Sequence, residues 1–184
     1  MDFVQLDQRH HDQLLILEKD MYWTEGEWKK KWENGARQKF DDLITDYLTN
    51  FPQGCFGLVE KGELIGAIFL LKVSELKPIP YVNKVADHFS ETGDIAYVSF
   101  FVIKKGDGDE EIAQELYDKA QDVALLSISC KKIAVVINNS PLEEKILIGN
   151  DYERSVEEFQ WEIYPGIMVP CHIYSYSLLM EESK

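Results

Sequence analysis

The run Ile95-Ala96-Tyr97-Val98-Ser99-Phe100-Phe101-Val102-Ile103 is apolar almost without interruption and rich in β-branched and aromatic residues. Such a run reads as a strand buried on both faces. It ends at Lys104-Lys105-Gly106-Asp107-Gly108-Asp109-Glu110-Glu111. An amphipathic helix follows at once, with Ile112, Ala113, Leu116, Ala120, Val123 and Ala124 on one face. Strand, tight loop and helix in direct succession constrain the chain to an α/β architecture with a helix N-terminus at the end of a central strand. That terminus presents N–H groups and the positive end of the helix dipole to an anion. Here Asp107, Asp109, Glu110 and Glu111 stand at that place, so the local charge opposes what the backbone favours.

The flanking sequence supplies the remaining layers. Leu14 to Met21 reads as a first helix, and Thr24 followed by Glu27 is a capping-box pattern opening a second. Trp28 and Trp32 share a face, and the stripe resumes at Phe40, Leu43, Ile44, Tyr47 and Leu48 after Asn34-Gly35. A hairpin turned at Lys61-Gly62 comes next. Glu75 to Thr92 is polar, carries Pro78 and Pro80, and reads as a loop. Beyond the central helix lies a strand at Ile133–Ile137. Ser140-Pro141 then caps and starts a short helix that stops near Gly149-Asn150. Two last strands, about Ser155–Ile163 and Cys171–Leu178, flank Tyr164-Pro165-Gly166. With no repeat or linker, residues 1–184 form a single domain.

Apolar residues at 45% and aromatics at 12% are globular values. A net charge of −14 argues against nucleic acid or an anionic membrane as partner, because phosphate binding needs clustered Lys and Arg. Cys55, Cys130 and Cys171 are widely spaced, form no CxxC pair and suit buried free thiols in a reducing cytoplasm. Neither a signal peptide nor a membrane-spanning apolar window is evident.

From Leu14 to Leu179 the chain resembles the GNAT superfamily of acyl-CoA-dependent N-acyltransferases. That family's cofactor motif is a strand ending in Val, then Arg/Gln-x-x-Gly-x-Gly/Ala, with a Leu in the helix. With Ile103 at the Val, Gly108 takes the Arg/Gln position, Glu111 the first Gly, Ala113 the second and Leu116 the helical Leu. Ala113 and Leu116 fit; Gly108 and Glu111 depart. The hairpin after Phe51-Pro52-Gln53-Gly54-Cys55-Phe56, the strand Lys132–Ile137 with Asn138-Asn139, and Gly149-Asn150-Asp151-Tyr152 are similar to further landmarks in the expected order. The family's acid Tyr falls on Leu147.

The resemblance implies a mixed, mainly antiparallel sheet of roughly six or seven strands flanked by about four helices. Two central strands, Ile95–Ile103 and Ile133–Ile137, would splay apart so that acyl-CoA pairs with the first. Its contacts would be Phe101, Val102 and Ile103 on the strand, Gly108, Asp109, Glu110, Glu111, Ile112 and Ala113 at the loop and helix start, and Asn139. Against this, the strand residues also suit an ordinary core, and the acids suit a helix that caps itself. Acetyl-CoA would be a weakly bound co-substrate, with Lys104 and Lys105 offsetting the acids if they fold over the loop.

For proton handling the candidates are Tyr97 and Ser99 on the strand, His88 and Glu91 before it, and Tyr152 or Tyr117 in place of the missing acid. The expected activity is direct N-acetyl transfer to an amine-bearing small molecule or peptide. The alternative is a pseudoenzyme of the same fold that serves as a binding or regulatory module. A homodimer through the last strands is left open. Asp107, Asp109 and Glu111 share the spacing of a calcium loop, but Ile112 stands where its turn needs Gly, so no metal is expected.

Overall fold

A computed structural model describes residues 1–75, 88, 94–138, 140–164 and 167–178. It divides the chain into two units, Met1–Phe69 with Phe100–Leu116, and Leu70–Ser99 with Tyr117–Lys184. The strands are β1 (Asp2–Gln5), β2 (Cys55–Glu60), β3 (Glu63–Lys72), β4 (Ile95–Ile103), β5 (Lys132–Ile137), β6 (Glu153–Tyr164) and β7 (Ile167–Ser177). They hydrogen-bond in the order β1-β2-β3-β4-β5-β7-β6 as a 7-stranded sheet, mixed and mostly antiparallel as expected. The helices are α1 (His11–Tyr22), α2 (Gly26–Lys31), α3 (Arg37–Asn50), α4 (Asp109–Asp122) and α5 (Pro141–Gly149).

In the first unit β1, β2 and β3 form an antiparallel meander. The β2–β3 turn is at Lys61 and Gly62, whose φ values of 51° and 84° match the strand twist, as in a type I′ hairpin. Strand β1 has no counterpart in the sequence reading. Its residues alternate weakly, and the Phe3 ring, stacked on Phe56 at 5.1 Å, holds it to the sheet edge. Gly66 of β3 lets α4 approach closely: a Cβ there would sit 2.9 Å from both Ile112 Cγ2 and Leu116 Cδ1. Leu14 and Leu17 of α1 and Ile44, Tyr47 and Leu48 of α3 are buried in the same core. The capping box expected at Thr24 and Glu27 does not form. Gly26, at φ 54°, starts α2 with Glu25 in the cap position and no side-chain bond, because the chain must first turn out of α1.

In the second unit β4 and β5 run parallel, and β7 pairs antiparallel with both β5 and β6. The Asp94 carbonyl accepts from the Lys131 and Lys132 amides, fixing the start of that parallel pair. Helix α5 begins as the sequence predicts: Pro141 opens it and the Ser140 hydroxyl accepts from the Glu143 amide at 3.4 Å. Most of the stretch read as a loop from Glu75 to Thr92, Glu91 included, lies outside the described residues. No described helix is long and apolar enough to cross a membrane.

Candidate functional site

The β4–β5 register runs from Ile95↔Lys132 to Val98↔Val135, while β4 continues to Ile103 and β5 to Ile137. Phe101, Val102 and Ile103 are all buried. Residues two apart on a strand turn their backbone groups to the same edge. Lys104 N–H donates to the Ile65 carbonyl of β3 at 2.8 Å, so Phe101 and Ile103 address the opposite edge. On that edge the Tyr22 hydroxyl donates to the Phe101 carbonyl at 2.9 Å, and the Ile103 amide donates to Met21 Sδ at 3.4 Å.

The loop after β4 turns through two glycines in positive-φ conformations. Gly106 and Gly108 hold φ values of 145° and 89°, and a Cβ on either would meet nothing within 4 Å. The Gly106 carbonyl accepts from the Asp109 amide and the Gly108 carbonyl from the Ile112 amide, which closes the first turn of α4. That turn starts at Asp109, so Asp109, Glu110 and Glu111 are helical, and the residue before it is Gly108, which has no side chain to cap with. The acids favour the helix through its dipole, each by about 0.3–1 kcal/mol, not through a cap. Ile112 and Ala113 are buried and face away from any ligand over the loop, towards the core. Lys104 and Lys105 do not fold over the loop. Lys104 pairs with Glu63 at 2.7 Å, and Lys105 donates to the Met21 carbonyl at 2.7 Å. Neither lysine therefore offsets the acids of the α4 first turn.

Helix α1 carries a group that sequence reasoning missed. Glu18 on α1 is buried, and the Trp23 indole donates to its carboxylate at 2.9 Å. Burial pushes its pKa up to about 8, although the indole bond opposes the shift. Trp23 packs on Trp28, Trp32 and Phe40, with ring centroids 5.5, 5.7 and 5.5 Å away. The available signal was the position of Glu18, four residues after Leu14 on the apolar face of α1.

The proton-handling candidates lie in the second unit. Tyr97 is buried on β4 opposite Ala134, and Ser99 is half-buried two residues on. Tyr152 is buried between Tyr176, stacked at 5.4 Å, and Tyr117 at 6.4 Å, and burial raises the pKa of its hydroxyl. The Tyr117 hydroxyl donates to buried Glu143 at 2.8 Å, which also went unforeseen. His88 lies against the Phe159 ring at 4.2 Å. Asn139 lies outside the described residues. The three cysteines are buried free thiols, and burial pushes Cys55 and Cys171 up to about 12, which leaves them poor nucleophiles.

No family model and no curated protein matches the chain. Solved structures do. An aminoglycoside 6'-acetyltransferase type Ii matches over 98% of this chain and 99% of its own, at 12% identity and TM-score 0.65. The acetyltransferase of GNAT family from Streptococcus pneumoniae matches over 96% and 98%, at 8% identity and TM-score 0.63. The protein yncA from Salmonella typhimurium, solved with its cofactor acetyl-CoA, matches over 99% and 96%, at 9% identity and TM-score 0.62. The chain has the GNAT fold from end to end.

Proposed function

We propose that the protein is an acyl-CoA-dependent N-acyltransferase that moves an acetyl group directly from acetyl-CoA to an amine. The observation that carries this reading is the β4 edge turned away from β3 at Phe101 and Ile103, which leads straight into the Gly106–Gly108 loop and the α4 N-terminus. Backbone groups along a strand edge can pair with the amides of a pantetheine arm whatever the side chains are. That is why the departures at Gly108 and Glu111 weaken binding without removing it.

The reaction needs no acyl-enzyme. The amine lone pair attacks the thioester carbonyl, the C–S bond breaks, and the thiolate leaves with the electron pair and collects a proton. Holding both partners together supplies the main rate gain. An ammonium acceptor must first lose a proton. Ser99 and Tyr97 on β4 are the groups we assign beside the reacting carbonyl, and Tyr152 is the proposed proton source for the thiolate. A net charge of −14 favours a cationic acceptor.

A second reading, a binding module of the same fold without turnover, draws on the acids of the α4 first turn and on the engagement of Lys104 and Lys105 elsewhere. Calorimetry with acetyl-CoA and with free CoA separates the two. Saturable binding in the micromolar range supports the enzyme, and no heat at millimolar ligand supports the module. Glu111→Gly should then tighten acetyl-CoA binding several-fold, since one like charge is removed from the pyrophosphate position. Unchanged affinity would remove the electrostatic account of the loop.

A further inference from the structure

The two β4 groups that a pantetheine arm would use are already taken. The Phe101 carbonyl holds the Tyr22 hydroxyl at 2.9 Å, and the Ile103 amide holds Met21 Sδ at 3.4 Å. Both partners come from the last turn of α1, and Lys105 secures that turn by donating to the Met21 carbonyl at 2.7 Å. A thioether is a weak acceptor for an amide N–H, and Tyr22 is 41% exposed, so half of the contact is weak and the other half is open to solvent. Directly after Tyr22, the Trp23 indole donates to the Glu18 carboxylate at 2.9 Å.

We propose that Met21 and Tyr22 form an intramolecular latch that occupies the acyl-CoA edge of β4 and must release it before the cofactor can pair there. This rests on the acyl-CoA reading above and adds to it a competition within the chain. A ligand that meets a site open only part of the time binds with its affinity reduced by the open fraction, and the reduction falls on the association rate. Tyr22→Phe removes the hydroxyl while keeping the ring. Met21→Leu removes the sulfur at nearly constant volume and is the second variant should the first fold poorly.

Stopped-flow tryptophan fluorescence with acetyl-CoA, on the full chain and both variants, tests the latch. Tyr22→Phe should raise the association rate by roughly 2- to 10-fold, as expected for one hydrogen bond of ordinary net strength, and Met21→Leu should raise it by less, since a thioether is the weaker acceptor. The dissociation rate should stay unchanged. If the wild-type chain binds and the variants bind no faster, or change only in dissociation, the latch is overturned and the acyl-CoA reading stands. If none of the three binds at millimolar acetyl-CoA, that reading falls and the latch falls with it.

Discussion

Glu18 places a carboxyl group on the apolar face of α1, where Trp23 Nε1–H is its partner and water is nearly excluded. Its folded pKa of about 8 stands above the ordinary 4.5, so between those values the unfolded chain gives up a proton that the native state keeps. Stability associated with this group is complete below about pH 4.5 and is lost as pH rises through about 8. Glu143, raised by burial despite its bond from Tyr117, acts with the same sign. Glu18→Gln keeps an oxygen for the indole and removes the ionisation. Urea midpoints should then differ little between variant and wild type near pH 4.5 and increasingly favour the variant towards pH 8. There the gap is on the order of a few kcal/mol. A constant gap across that range would contradict the assignment.

At the scale of elements, the contact that fixes α4 over the sheet depends on what β3 lacks. Gly66 leaves room for Ile112 and Leu116, and the same strand pairs through Ile65 with Lys104, the residue after β4. Gly66→Val should lower stability by about 1–3 kcal/mol through overpacking, read as a shifted midpoint at constant slope. On the proposed function the variant should also bind acetyl-CoA more weakly, since the proposed phosphate site lies at the α4 N-terminus. Helix α5 relies on its cap in another way. Ser140→Ala leaves the Glu143 amide without its hydroxyl acceptor and should cost about 1 kcal/mol. Thermal melts of the variant and wild type would show the difference.

For the whole molecule, charge is the feature that most distinguishes this chain from what its fold suggests. CoA carries several negative charges, and a chain of −14 repels it at long range. Raising salt from about 0.05 to about 0.3 M shortens the Debye length and should tighten acetyl-CoA binding. A site built on clustered Lys and Arg would respond in the opposite direction, so calorimetry at the two salt concentrations decides which kind of site this is.

The strand Ile95–Ile103, the hairpin at Lys61-Gly62, the helix opened by Ser140-Pro141 and the last strand pair were all legible in the amino-acid order. Each rests on local physics: hydrophobic period, positive-φ turn residues, or a hydroxyl beside a proline. The glycines and acids after β4 likewise announced the turn into α4 and its acidic first turn. What the sequence could not disclose depends on partners distant along the chain. Strand β1 exists because Phe3 finds Phe56. Glu18 is buried because Trp23 turns back over it. Lys104 and Lys105 leave the loop because Glu63 and the Met21 carbonyl are within reach. The occupation of the β4 edge by Tyr22 and Met21 belongs to the same class. Side chains some eighty positions from Phe101 and Ile103 meet them only once the helix is packed on the strand, and no periodicity in the sequence encodes that meeting.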